Sequence, residues 1–142
     1  MPTPTKMRRE PLKVIIDSNA LFVPLQFKID LVGELESLLN RRFELVILSP
    51  VKRELEVLTE KGAPKARKKA GYALKLAEKC KFVKVDDDSA EQEVDDVIIK
   101  IAAKWKVPVF TNDAELRRRL RDISVPVIYL RQKSRLEIDG LI

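Results

Sequence analysis

The sequence predicts an α/β fold: a three-layer α/β/α sandwich around a central parallel sheet of about five strands. Two observations predict this fold. Short runs that are entirely apolar alternate along the chain with longer segments whose apolar residues recur at helical spacing. Strands that are buried on both faces are apolar throughout, and right-handed crossover connections put helices on both sides of the sheet.

Five apolar runs, each bounded by polar or turn-forming residues, are the predicted strands. They lie at residues 13–16, 45–48, 82–85, 107–111 and 126–130. The predicted helices occupy residues 29–40, 50–61, 64–79, 89–104 and 114–121. Two helix starts carry specific signals: Ser49 is a predicted N-cap before Pro50, and Ser89 with Gln92 has the spacing of a capping box.

Composition predicts a single basic domain without histidine chemistry. The 142 residues carry a net charge of +6 and are 45% hydrophobic, which fits one domain at 12–142 after a flexible basic arm at 1–11. Cys80 is the only cysteine and there is no histidine. This excludes an internal disulfide, a Ser-His-Asp triad, a Cys-His dyad and a His/Cys zinc site, and it fits a reducing cytoplasm. A bound metal would need oxygen ligands, which favours Mg²⁺, Mn²⁺ or Ca²⁺.

A few of the 22 acidic residues occupy special positions in this predicted fold. Asp17 follows the first strand, and Asp113 follows the fourth. Glu54 lies one turn into the helix after the second strand, and the adjacent Asp95 and Asp96 lie on the helix that leads into the fourth. Ligand sites of open α/β sheets lie beyond the carboxyl ends of the strands, so these acids are candidate site residues.

Each acid also has a purely structural explanation. On a helical wheel Glu54 falls roughly 65° from the centre of the apolar face, where a carboxylate near the helix start interacts well with the helix dipole. Asp17 could equally be a turn or cap residue. The group is harder to explain in this way, because converging carboxylates repel one another and a divalent cation relieves that repulsion. The neighbouring side chains of Ser18, Asn19, Thr111 and Asn112 could orient the ligands.

Four stretches in order, IIDSNAL, SPVKRELEVL, VDDVIIKIAAK and VFTNDAEL, resemble the motifs of the PIN-domain ribonucleases. The resemblance covers residues 12–131 and implies that Asp17, Glu54, Asp96 and Asp113 bind metal, with Asp95 sharing or replacing the role of Asp96. It is closer to the branch of small-subunit ribosome biogenesis, and VapC-like toxins are the other branch. It implies a Mg²⁺- or Mn²⁺-dependent endoribonuclease that leaves 5′-phosphate and 3′-hydroxyl ends.

Basic residues predict the surface that holds RNA, which could be a precursor of ribosomal RNA. Two clusters are the candidates, and Tyr72 and Tyr129 could stack on unpaired bases. The clusters comprise Lys65, Arg67, Lys68 and Lys69 in one and Arg117, Arg118 and Arg119 in the other. The Lys-rich helix could instead be only a solvated face. No membrane segment is predicted, while a homodimer, an antitoxin and a ribosome-assembly partner all remain open.

Two other classes compete with the nuclease. A haloacid-dehalogenase-type phosphatase would need a second acid at the position of Asn19, and a phosphoacceptor receiver would need a lysine after the fifth strand, where Lys133 is displaced. The phosphatase and the receiver form the first of these classes; the second is a catalytically silent RNA-binding scaffold with the same fold, which metal-dependent cleavage would distinguish from an active enzyme.

Overall fold

The computed structural model describes residues 10–86 and 92–142. The strands are β1 (Leu12–Ile16), β2 (Phe43–Leu48), β3 (Lys81–Val83), β4 (Val109–Phe110), β5 (Val127–Arg131) and β6 (Arg135–Asp139). The helices are α1 (Ser18–Leu21), α2 (Val23–Phe27), α3 (Leu31–Leu39), α4 (Ser49–Lys61), α5 (Pro64–Ala77), α6 (Val94–Trp105) and α7 (Ala114–Asp122).

The strands form one sheet in the order β3-β2-β1-β4-β5-β6. β1 to β5 are parallel, as predicted, and the α/β sandwich is confirmed. The chain crosses the sheet in one direction from β1 to β3 and in the other from β3 to β5. Right-handed connections therefore place the helices of these two halves on opposite faces.

The sixth strand is an addition to the predicted sheet. β6 pairs antiparallel with β5 across a tight turn in which Gln132 and Lys133 have positive φ angles of 53° and 60°. Such turns usually contain Asn or Gly, and this one contains neither. The hairpin therefore had no turn signal in the sequence.

Two predicted helix starts differ from the structure. The Ser49 side chain does not cap α4; its hydroxyl accepts a hydrogen bond from the Val85 backbone N–H at 3.0 Å and so ties α4 to the segment after β3. Helix α6 begins at Val94 with Glu93 as its N-cap, later than predicted. Ser89 of the predicted capping box lies outside the described residues, as does most of the predicted arm at 1–11.

The core is formed by the central strands and the helix faces that cover them. Ile15, Ile47 and Phe110 are fully buried at the centres of β1, β2 and β4. Short α1 and α2, which no sequence pattern predicted, bury Leu21 and Val23 in the hydrophobic core. No helix within the described residues is long and apolar enough to cross a membrane.

Candidate active site

The candidate site lies where the strand order changes direction. β1 is flanked by β2 on one side and β4 on the other, and such a switch point opens a crevice at the carboxyl ends of the strands. Ile16 is in register with Phe110, so the residues that follow them, Asp17 and Thr111, are neighbours. The Asp17 backbone N–H donates to the Phe110 carbonyl at 3.0 Å, which fixes this junction.

Asp17 is a buried carboxylate at the centre of the site, only 4% exposed. Its Oδ1 accepts from the Ser18 backbone N–H at 2.8 Å, and its Oδ2 accepts from Asn19 Nδ2 at 3.0 Å and Thr111 Oγ1 at 2.8 Å. Burial raises the pKa of Asp17 to about 6, with smaller contributions from Asp95 and Glu54, even though the hydrogen bonds from Thr111 and Ser18 favour the charged form. A carboxylate in this setting gains from a nearby cation.

The predicted orienting residues form a connected hydrogen-bond network. Asn19 Oδ1 accepts from the Asn112 backbone N–H at 2.9 Å, and Asn112 Oδ1 accepts from the Leu130 N–H at 2.9 Å. Thr111 Oγ1 accepts from the Asp113 N–H at 3.1 Å while it donates to Asp17. These contacts join the ends of β1, β4 and β5, so the site is held by neighbouring strands rather than by loose loops.

Glu54 and Asp113 reach the same region from two helices. Ser18 Oγ donates to Glu54 Oε1 at 2.6 Å, which links α4 to the end of β1. Asp113 is the N-cap of α7: its Oδ1 accepts from the backbone N–H groups of Glu115 at 2.9 Å and Leu116 at 3.1 Å. Both bonds reach the same oxygen, so capping leaves Oδ2 of Asp113 for another ligand, and the structural and functional explanations of this residue are compatible.

The two adjacent aspartates of α6 have different surroundings. Asp96 accepts from Arg119 of α7 at 2.6 Å and its side chain is 56% exposed. Asp95 is half-buried, and its pKa is raised by burial and then by the Asp113 charge, with Glu54 and Asp96 adding to the shift and Arg119 opposing it. The charges of the other site acids and of Arg119 thus all act on Asp95, whereas Asp96 is bound directly to that arginine.

The residues fit a divalent cation in type and in electrostatics. Asp17, Glu54, Asp95 and Asp113 present only oxygen ligands, and the pKa values of Asp17 and Asp95 are raised mainly by burial and in smaller part by neighbouring acids, so a bound cation would favour their charged forms. Across residues 10–86 and 92–142 no three acids are already gathered into a cation-binding cage. The side chains must therefore turn toward a common point to ligate one ion.

The predicted RNA-binding residues fall into two groups. Lys65, Arg67, Lys68 and Lys69 are exposed on α5, and the structure gives them no ion pair with any described residue. The arginines of α7 are all paired. Arg117 binds Asp139, Arg118 binds Glu115 and Asp122, and Arg119 binds Asp96.

The two tyrosines differ in the same way. Tyr72 is 47% exposed on α5, the helix of the four cations, and Lys75 Nζ lies 5.8 Å from its ring centroid. Tyr129 has the Arg117 guanidinium 3.7 Å from its ring centroid, and its hydroxyl donates to Glu137 at 3.2 Å. One face of the Tyr129 ring is thus already covered, so Tyr72 is the better placed of the two to stack on a base.

The grooves of the described surface do not all coincide with the acids. One groove of about 1000 Å³ is lined by Leu31, Phe43 and Leu45 and lies toward the amino ends of the strands, away from the carboxylates. A smaller groove of about 490 Å³ includes Glu54 and runs between α4 and Val94 at the start of α6. The chemistry of the site, rather than cavity size, identifies the candidate active site.

The fold and site together define a class of α/β protein with a carboxylate cluster at the switch point of a parallel sheet. The PIN-like domain family model matches residues 14–133. The chain therefore belongs to the PIN-like domain family, and the predicted family is confirmed.

Named relatives extend this finding. The chain is 39% identical over 131 residues to "Ribonuclease VapC4" of Methanocaldococcus jannaschii, which covers 92% of this chain and 98% of that protein. It is 35% identical to "Ribonuclease VapC9" of Archaeoglobus fulgidus, over 89% of each chain. Among solved structures it resembles the PIN domain endonuclease Utp24, with a TM-score of 0.75, 28% identity and coverage of 93% and 94% of the two chains. A domain of a functionally unknown Methanocaldococcus jannaschii protein shares the fold at 18% identity and a TM-score of 0.62, over 92% and 99% of the two chains.

Proposed function

We propose that the protein is an endoribonuclease that hydrolyses RNA phosphodiester bonds with Mg²⁺ or Mn²⁺ at the carboxylate site. The observation that carries the proposal is Asp17, a buried carboxylate at the switch point with two other acids among the causes of its raised pKa. Two relatives named as ribonucleases and a structural neighbour named as an endonuclease support the same activity.

Asp17, Glu54, Asp95 and Asp113 are the proposed metal ligands. The resemblance assigns the α6 position to Asp96, but Asp95 has the other acids as its electrostatic neighbours and Asp96 is bound to Arg119. A bound divalent ion would supply neutralisation of phosphate charge and a more acidic water.

The chain's own contribution is to hold carboxylate oxygens at fixed positions. Thr111, Asn19 and the Ser18 N–H hold Asp17, the Ser18 hydroxyl holds Glu54, and the α7 backbone holds Asp113. Preorganised groups of this kind need little rearrangement when substrate charge arrives. The network therefore supports catalysis by positioning rather than by direct contact with RNA.

Substrate binding is proposed for α5, where four cations have no acidic partner among residues 10–86 and 92–142 and share the helix with the exposed ring of Tyr72. Single-stranded RNA fits such a surface because phosphates bind the cations and an unpaired base stacks on the ring. We further propose a cytoplasmic protein with one nuclease domain at 12–142 and a basic arm at 1–11.

Two biological roles each have a supporting observation. Identity of 39% to a VapC ribonuclease favours a VapC-type toxin with an antitoxin partner. Similarity to Utp24 across nearly the whole chain favours processing of a ribosomal RNA precursor with a ribosome-assembly partner. A small antitoxin gene beside this one would favour the toxin role, and its absence would favour processing.

Cleavage of a single-stranded RNA in Mn²⁺ tests the proposed activity. Asp113→Asn should reduce cleavage by orders of magnitude because it removes one ligand charge, while RNA affinity holds or improves as phosphate repulsion falls. The matched control is Asp122→Asn, which changes the same charge on the same helix at an exposed residue paired with Arg118.

Each protein is purified separately and assayed with and without EDTA, so that a contaminating nuclease is recognised. Equal cleavage by wild type and Asp113→Asn would show that Asp113 is only a helix cap. No cleavage of any RNA by the wild type would favour the silent RNA-binding scaffold.

A further inference from the structure

Helix α6 carries two adjacent acids, Asp95 and Asp96, in its first turn beside the carboxylate site. Asp95 and Asp96 lie about 100° apart around the helix axis, so one side chain cannot replace the other without a change in direction. Asp96 is held by the Arg119 guanidinium at 2.6 Å, across the α6–α7 interface. An interaction that fixes the direction of one of these side chains would therefore determine which of the two acids turns toward Asp17.

Arg119 is the cation that interacts with both acids. It is bound to Asp96, its side chain is 39% exposed, and its charge also acts on Asp95. Its helix, α7, is the one that Asp113 caps, so Arg119 and a proposed ligand are fixed to the same rigid element. The neighbouring arginines, Arg117 and Arg118, are committed to other acids.

We propose that Arg119 is a positioning residue that holds Asp96 away from the carboxylate site and leaves Asp95 as the metal ligand of α6. The inference rests on the proposed function, because it assigns a ligand of that same site. This proposal changes the role predicted for Arg119. The arginine holds Asp96 away from the metal site instead of contacting an RNA phosphate. An arginine suits the task because it stays charged at any relevant pH.

The Asp96–Arg119 ion pair also weakens metal binding, because it keeps a positive charge near the proposed ligands. A guanidinium near the acids competes with a divalent cation for Asp95, so an ion pair kept at this position should weaken metal binding by its charge alone. When the Arg119 guanidinium is bound to Asp96, it competes less with the divalent cation for Asp95. The two effects of Arg119, its charge and its choice of partner, can be separated because Arg118 lies next to it on the same helix and can be removed instead.

The test measures Mn²⁺ affinity by calorimetry, with no RNA present, in variants of matched charge. Asp95→Asn combined with Arg118→Gln should bind Mn²⁺ at least ~10-fold more weakly than wild type, because the ligand is lost. Asp95→Asn combined with Arg119→Gln should recover much of that loss, since the released Asp96 can turn to the site. Asp96→Asn combined with Arg119→Gln should stay within about 3-fold of wild type, because Asp95 remains.

The conservative variant gives a further readout. Asp95→Asn with Arg119→Lys keeps a cation on Asp96 and should remain as weak as Asp95→Asn alone. All the substituted side chains at 96, 118 and 119 are more than one-third exposed, so the variants should fold, and thermal melting checks this.

The outcomes separate this inference from the function on which it rests. If the two Asp95→Asn double variants bind Mn²⁺ equally, or if removing the Asp96–Arg119 pair costs as much as removing Asp95, Arg119 does not sort the acids. If Asp17→Asn weakens binding in the same series, the metal site stands and only this inference is overturned. If Asp17→Asn has no effect either, the proposed metal site and this inference are both overturned.

Discussion

Two charged regions at one side of the sheet are built in opposite ways. Near the C-terminal end, Arg117 and Arg121 donate to the two oxygens of Asp139 at 3.0 and 3.1 Å, and Arg131 lowers the pKa of Glu137 by its hydrogen bond. At the carboxylate site, Asp17 and Asp95 have raised pKa values and other acids among their neighbours. One region pairs its charges and the other accumulates them.

The difference separates a structural role from a functional one. Paired charges at one-third exposure contribute modestly to stability. Because each charge already has a partner, the pairs do not need a bound ion to neutralise them. Accumulated acids cost stability in the folded protein, so their arrangement is best explained by what they bind. Helix α7 takes part in both regions, since Asp113 and Arg119 face the acids while Arg117 and Arg121 hold β6.

Helix α5 is a third case, with cations that have no acidic partner among the described residues. Replacing Lys65, Arg67, Lys68 and Lys69 with Ala should lower the slope of log affinity against log salt by about 3, if each residue contacts one phosphate of single-stranded RNA. Binding of a non-cleaved RNA to the metal-free protein, measured from low to high salt, checks this. An unchanged slope would mean that α5 is a solvated face, and replacement of the paired arginines Arg117 and Arg121 is the comparison.

Burial of Asp17 should make the metal-free protein lose stability as the pH rises. The folded-state pKa of about 6 lies above the ordinary 3.8, so the contribution of the protonated acid is present below about pH 4 and is lost as the pH passes 6. In EDTA, the stability advantage of Asp17→Asn over wild type should grow by about 2 kcal/mol between pH 4 and pH 7.

Denaturant unfolding at several pH values measures this difference, with Asp139→Asn as the control. That variant removes an acid with two arginine partners and should lose stability instead of gaining it. A loss of stability for Asp17→Asn at neutral pH would show that Asp17 is a structural residue, held in place by Thr111 and Asn19.

Much of the fold was predictable because the central parallel strands end in buried apolar runs. The runs around Val14, Ile47 and Phe110 predicted buried strands, and the acids that follow Ile16 and Phe110 were predictable from strand ends. The β5–β6 hairpin was not, because its turn uses Gln132 and Lys133 at positive φ. Periodicity also does not reveal short α1 and α2, which are one turn each or little more.

The candidate site was predictable in position but not in side-chain detail. Motif order predicted which elements carry the acids, yet the sequence does not reveal the pairing of Asp96 with Arg119, 23 residues away along the chain. The pairing of Arg117 with Asp139 depends in the same way on β6, which the sequence did not predict. Both ion pairs join segments that are distant in the sequence, so neither could be predicted from local patterns.

Calorimetric titration with Mn²⁺ shows directly whether the accumulated acids bind a divalent cation. The proteins to compare are wild type, Asp17→Asn and Asp139→Asn. Wild type and Asp139→Asn should bind with similar affinity, because Asp139 is committed to two arginines. Asp17→Asn should bind at least ~10-fold more weakly, since it loses a ligand at the centre of the site. Equal Mn²⁺ binding by wild type and Asp17→Asn would contradict the account.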